Sequence, residues 1–338
     1  MEQKIRPIKT KGPMYVLSPF ILYIAGVVVV ELGLSILFLL FSLLCGYIGD
    51  PVLLRIDEFL FANEEMLIPA MAGLIKIPHF LRDFYREDWE YRVEKKRALS
   101  GEYIFNMKEA KLWKGKKGIL KSFSELKKPL LIVLTAVIAC MFFNLLVNDL
   151  MDILHIMYSR MELLTDVGGV GGPASAVHFT GGDTSASTSS ILVLIFSTVI
   201  VAPVVEELVF RGVIFQRMRD NHGFLFSASV AGLCFGIIHF NLVQGIFGFF
   251  MGIVFAYIYE RYHKLTACIA AHASVNILNI LMVLPGLSPL YEELGRNMKL
   301  FYGAMLISGV LLIALLLLLK SSIKNTDYIP FSHVAVGE

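Results

Sequence analysis

Apolar residues in this chain come in long, nearly unbroken blocks, without the alternation of a half-buried strand or the spaced stripe of a surface helix. Seven blocks stand out, at 20–49, 130–147, 189–215, 224–240, 242–259, 265–284 and 301–319. Most approach or exceed the ~20 residues that carry a helix across a hydrocarbon core about 30 Å thick. In lipid every backbone N–H and C=O must find a partner within the protein, so each block is predicted to be a helix. An eighth stretch, 66–80, is apolar but short and holds Pro69, Lys76 and Pro78. The pattern predicts an all-α fold, a polytopic membrane helix bundle of about eight transmembrane helices.

Composition strengthens that reading and closes off others. Of 338 residues, 56% are hydrophobic and only 17% charged, and mean hydropathy is +0.69, so a soluble globular class is set aside. The net charge of +2 matters less than its placement. Residues 76–128 carry 15 Lys/Arg against 8 acidic side chains, as cytoplasmic segments do. Anionic lipid headgroups are the nearest partner for such a run, and nucleic acid is not expected. Within 81–128, Phe84, Tyr85, Trp89 and Val93 recur at near-helical spacing among basic residues. This fits either an amphipathic helix on the membrane surface or an ordinary cytoplasmic loop.

The loop 148–187 has one basic residue, Arg160, and five acidic ones, which places it on the other side. Its glycine-rich run 168–173 lacks the Gly-Lys-Ser/Thr ending of a phosphate loop. Arg217, Arg219, Arg261, Lys264, Lys320 and Lys324 follow successive blocks and mark cytoplasmic turns. Because Lys4, Arg6, Lys9 and Lys11 precede the first block, the chain has to return through 66–80 before the basic stretch. Eight spans then leave both termini cytoplasmic, and the plasma membrane is the expected location of this multi-pass integral protein. The first block is too long for a signal-peptide core and is read as a retained span. The organisation is 1–128, membrane span(s) plus a basic interfacial segment; 129–320, a catalytic bundle; and 321–338, a cytoplasmic tail. Cys45, Cys140, Cys234 and Cys268 lie singly in apolar blocks, which suits small buried hydrophobes better than a disulfide or thiolate metal site.

Candidate chemistry sits inside the apolar blocks. Glu206 and Glu207 are adjacent there, with Arg211 four residues after the second. Carboxylates at membrane depth cost about 2.5–3.5 kcal/mol on insertion scales and usually mark function. On a helix Glu207 and Arg211 share a face, whereas Glu206 points about 100° away and is left for another task. Pro203 removes a backbone donor just before them and is expected to kink the helix. Phe235 and His239 stand four apart in a later block, as do His272 and Asn276 in another. A carboxylate and a neutral imidazole beside one water can make it nucleophilic. A second imidazole and a carboxamide are suitable donors to a tetrahedral oxyanion. Each histidine alone reads as a core residue bonded to a carbonyl; the three spacings together read as a site.

Glu206-Glu207-x-x-x-Arg211, Phe235-x-x-x-His239 and His272-x-x-x-Asn276 resemble, in order and in placement, the three motifs of the CAAX-protease and bacteriocin-processing (CPBP, or Abi) family. These are intramembrane endopeptidases that include the type II CAAX prenyl endopeptidases. The resemblance covers roughly residues 191–284. It implies an endopeptidase acting on membrane-anchored protein or peptide substrates, with Glu206 and His239 activating water and His272 and Asn276 holding the oxyanion. Glu207, Arg211 and Phe235 take supporting places. The family has also been described as metal-dependent, and a zinc ion would use Glu206, His239 and His272. No His-Glu-x-x-His is present, and the metal-free glutamate mechanism with no cofactor is favoured.

The rival class is a transporter or channel with Glu206 and Glu207 as an ion site. Such folds often carry internal repeats, and no second copy of the glutamate motif is present. Gly232, Gly236, Gly245, Gly248 and Gly252 recur at the small-residue spacing of closely packed membrane helices. Glu31 and Asn279 are read as packing or interhelical groups, and His155, His178, His222, His263 and His333 carry no partner pattern. One conflict arises from simple counting: Glu206 falls in the middle or cytoplasmic half of its block, while His239 falls at the far end of the next.

Overall fold

The computed structural model describes residues 13–100, 126–161, 188–219, 222–283, 293, 294 and 296–322. The glycine-rich run 168–173, His178 and His333 lie outside them, as does the tail from residue 323. So do the side chains of His155, Tyr85, Trp89 and Val93.

Among the described residues the fold is helical throughout. α1 is Pro13–Ile48, α2 Pro51–Ala62, α3 Glu64–Ser100 and α4 Pro129–Met161. α5 runs over 188–219 as five consecutive helical segments. α6 is Phe224–Ile237, α7 Leu242–Tyr262, α8 Leu265–Val283 and α9 Met298–Ser322. Six stretches are long and apolar enough to cross a membrane: Leu17–Ile48, Pro129–Ile153, Ser190–Arg219, Leu242–Tyr262, Leu265–Met282 and Met298–Ser322. α6 is apolar but shorter. All seven strong blocks of the sequence are therefore helices.

The eighth stretch, 66–80, differs. It is the first half of α3, which passes through Pro69 and Pro78 without a break and continues to Ser100. Its apolar part does not reach the length and hydropathy of a span. The chain enters it by way of Gly49 (φ +68°) and the short α2, which is capped by Asp50 accepting from the amides of Val52 and Leu53.

One core joins most of these helices. Phe80 of α3, Ile132 of α4, Phe210 of α5, Phe235 of α6, Phe255 of α7, Val275 of α8 and Leu312 of α9 belong to a single buried cluster. Phe20 and Tyr23 of α1 pack against it. Residues from either side of position 128 thus share one interior. α1 lies at the outside, with only 6% of its apolar window buried, as a lipid-facing helix should.

The tightest contact is between α6 and α7, and glycine permits it. A Cβ on Gly252 would sit 2.6 Å from the Cα of Gly232, and one on Gly232 would sit 2.7 Å from the carbonyl oxygen of Phe249. Backbone cannot swing aside as a side chain does, so the helices would have to separate. Gly232→Ala is expected to cost about 1–3 kcal/mol, seen as a lower thermal unfolding midpoint of the purified protein. Gly303→Ala in α9, where nothing lies within 4 Å, should leave the midpoint unchanged or slightly raised.

This packing also removes the conflict of depth between Glu206 and His239. α5 continues to Arg219, beyond the expected end at residue 215, and α6 then runs back beside it. At ~1.5 Å per residue, Glu206 lies about 20 Å from the Arg219 end and His239 about 22 Å from the start of α6. Phe210 and Phe235 meet with ring centroids 5.3 Å apart, which fixes the register. Near the Arg219 end, Arg219 pairs with Glu260 at 2.9 Å, and Arg217 donates to the Tyr15 carbonyl and sits over its ring.

Candidate active site

The glutamate pair owes its position to two stretches of π-helix in α5. Phe196–Val201 precedes the α-helical Ala202–Val209, and Phe210–Phe215 follows it. Such wide turns cluster at functional sites. Pro203 gives the first of them a local cause. The amide of Ala202 bonds the Ser197 carbonyl, five residues back. In that register the Thr198 carbonyl would receive the amide of residue 203, and proline has none. Asn276 of α8 supplies the missing donor, its Nδ2 lying 2.7 Å from the Thr198 oxygen. The expected kink is therefore a widened turn, and Asn276 ties α8 to it.

One turn further on, Glu207 is fully buried and its Oε1 receives two donors. Arg211 Nη1 lies at 2.9 Å and His272 Nδ1 at 2.9 Å. Arg211 is itself fully buried. It donates to the Gly252 carbonyl at 3.2 Å and sits over the rings of Phe235 and Phe255 at 4.5 and 5.1 Å. Desolvated charges persist only when paired and bonded in this way, and the aromatic faces add cation–π attraction. A carboxylate paired with arginine only accepts hydrogen bonds, so the proton on His272 must be at Nδ1. That fixes the ring orientation, as a carboxylate accepting the far N–H of an imidazole does elsewhere. Phe255 stacks on the same ring at 5.1 Å and 25°.

The other nitrogen, His272 Nε2, faces Glu206 Oε2 at 3.8 Å, beyond a direct hydrogen bond. Glu206 keeps 17% of its side chain accessible, against none for Glu207. The two acids thus divide as their helical positions imply, one locked in a buried frame and the other turned to an accessible space.

His239 follows α6 in the turn before α7 and is half-buried. Its ring meets the edge of Phe235 at 5.3 Å, and Phe235 meets His272 at 5.6 Å, so both imidazoles flank one phenyl. Glu206, Glu207, Arg211, Phe235 and His272 form one connected cluster, with His239 joined through Phe235 and Asn276 bonded instead to the α5 backbone at Thr198. Among the described residues no group of three His, Cys, Asp or Glu side chains is arranged to hold a metal ion; with Nδ1 given to Glu207, His272 has Nε2 to offer a ligand.

Sequence reasoning missed the bond from His272 to Glu207, the stacking of Phe255, and the packing of Tyr23 against Phe210. Tyr23 lies in α1, far outside any motif, and carries no spacing signal.

A polytopic helical membrane protein with an acid–arginine–imidazole cluster in its interior is the class these features define. Residues 188–278, from α5 into α8, match the family model described as "Type II CAAX prenyl endopeptidase Rce1-like". Over 144 residues the chain is 28% identical to "Putative membrane peptidase YdiL" of Bacillus subtilis (strain 168). That stretch is 40% of this chain and 59% of the relative's length. No solved structure matches. The resemblance to the CAAX-protease and bacteriocin-processing family, read from the three motifs, holds for this segment.

Proposed function

We propose that this protein is an intramembrane endopeptidase that hydrolyses peptide bonds of membrane-anchored proteins or peptides with a glutamate-activated water. The observation that carries the reading is the division of the glutamate pair: Glu207 fixed by Arg211 and His272, and Glu206 accessible and facing His272 Nε2 at 3.8 Å. The matched family and the named relative support the same class.

In this reading Glu206, assisted by His239, takes a proton from water as the oxygen attacks the scissile carbonyl. The tetrahedral oxyanion is met by His272 and by the second amide hydrogen of Asn276, the first being held by Thr198. With Nδ1–H given to Glu207, Nε2 donates only as imidazolium. In that form the formal charges of Glu206, Glu207, Arg211 and His272 cancel, which suits a buried site. Glu206 then returns its proton to the departing amine. CAAX-type proteins and bacteriocin-like peptides are the substrate classes that the family resemblance implies. We read the basic ends of the helices as cytoplasmic and the plasma membrane as the location.

The test is cleavage by the purified chain, reconstituted in vesicles with a library of membrane-anchored peptides. Wild type should cleave, chelator should not reduce the rate, and His239→Ala should lower it by about 10²–10⁴-fold. Loss of activity with chelator would replace the metal-free route. Ion flux dependent on Glu206 without cleavage would replace the peptidase with a transporter.

A further inference from the structure

A second polar group lies between α4 and α8, and the chemistry of the glutamates and histidines makes no use of it. Cys140 of α4 is fully buried and stands between two half-buried carboxamides. Its Sγ accepts from Asn144 Nδ2 at 3.3 Å, and its thiol donates to Asn279 Oδ1 of α8 at 3.5 Å. All three residues belong to segments long and apolar enough to cross a membrane. Each carboxamide thus commits one end to the sulfur and leaves the other over: the Oδ1 acceptor of Asn144 and the Nδ2 donors of Asn279. Neither of these ends has a hydrogen-bond partner among the described residues, and neither is sealed from its surroundings. Unused polar ends at membrane depth are costly, and two asparagines that only joined the helices would do better bonded directly to each other.

Asn279 stands on the face of α8 that carries the site. Residues 272, 276 and 279 are four and then three apart, which keeps them on one side of the helix. At ~1.5 Å per residue Asn279 lies about 10 Å along α8 from His272, the reach of about three residues of extended chain. A free acceptor beside a free donor is the complement of a peptide backbone, whose N–H donates and whose C=O accepts. An extended segment drawn into the bundle has to find such partners for its main chain, as an added strand does at a sheet edge.

We propose that Asn144 and Asn279, bridged by Cys140, form a subsite for the main chain of the substrate. Asn144 Oδ1 accepts a backbone N–H and Asn279 Nδ2 donates to a neighbouring carbonyl, about three residues from the scissile bond. The inference rests on the endopeptidase reading of the site. Because the subsite reads backbone, it fixes the register of cleavage while tolerating many side chains.

The test uses wild type, Asn144→Leu and Asn279→Leu in vesicles, with one cleaved membrane-anchored peptide and analogues of it that each carry an ester in place of a single amide. An ester removes one N–H and weakens the adjoining carbonyl as an acceptor. In wild type an ester about two to four residues from the scissile bond should raise KM about tenfold with kcat within twofold, as for a contact made equally before and during reaction. Both variants should show a raised KM on the all-amide peptide, and in Asn144→Leu that same ester should add less than about twofold. An equal ester penalty in wild type and Asn144→Leu, or variants that lower the unfolding midpoint with KM unchanged, would mean a helix-joining role and overturn the proposal. A wild-type scan with no sensitive position in that range overturns it without any variant. If wild type cleaves no peptide, the endopeptidase reading falls and the subsite with it; cleavage without the ester coupling removes the subsite alone.

Discussion

Arg211→Met should unfold the bundle or leave it too unstable to purify. The substitution retains a long side chain between Phe235 and Phe255 but strips Glu207 of its counter-charge where no water can replace it. Removing one partner of a buried pair costs about 3–5 kcal/mol, because the remaining charge is stranded. The Gly252 carbonyl also loses its donor. The double variant Glu207→Gln/Arg211→Met removes both charges and should recover most of the loss. Gln retains an oxygen to accept from His272 Nδ1, so the imidazole retains its place. Thermal unfolding of the single and double variants in detergent checks the expectation, and equal destabilisation of the two would contradict it.

Glu206→Gln should do the reverse, sparing the fold and removing the reaction. Its carboxylate makes no direct bond to His272 and remains partly accessible, so an isosteric amide breaks no contact of the buried frame. An amide cannot accept the proton of water, however, and a positioned general base contributes about 10²–10⁴-fold. Cleavage should fall by that factor with an unchanged unfolding midpoint. Glu207→Gln should show the opposite balance, destabilising the protein by leaving Arg211 unpaired. A swap of the two phenotypes would mean that the roles of the adjacent acids are reversed.

The motif residues made the site legible before any coordinates, because each needs only helical spacing and an apolar setting to stand out. The separation of Glu206 from Glu207 followed from 100° of helical rotation, and the ion pair with Arg211 from the four-residue step. What the chain hid were contacts between residues far apart in sequence. Nothing near Tyr23 marks it as a neighbour of Phe210, because α1 reads simply as a lipid-facing helix. The two π-helical stretches were equally opaque. Pro203 announced a disturbed helix, but only the partner of the Thr198 carbonyl shows how the disturbance is absorbed. The eighth crossing rested on charge bookkeeping alone, and in the structure residues 66–80 are half of a helix that runs on to Ser100.

α6 is about 21 Å long at ~1.5 Å per residue, some six residues short of a 30 Å hydrocarbon layer. The non-helical backbone that follows it, with His239 and Asn241, would therefore lie below the headgroups on the side opposite Arg219. Irregular chain at that level is tolerated only against protein or where the bilayer gives way to solvent. A missing turn and a half of helix thus leaves polar, irregular backbone beside His239 that either protein or water has to satisfy. On the endopeptidase reading, water admitted there would have a short route to the imidazole.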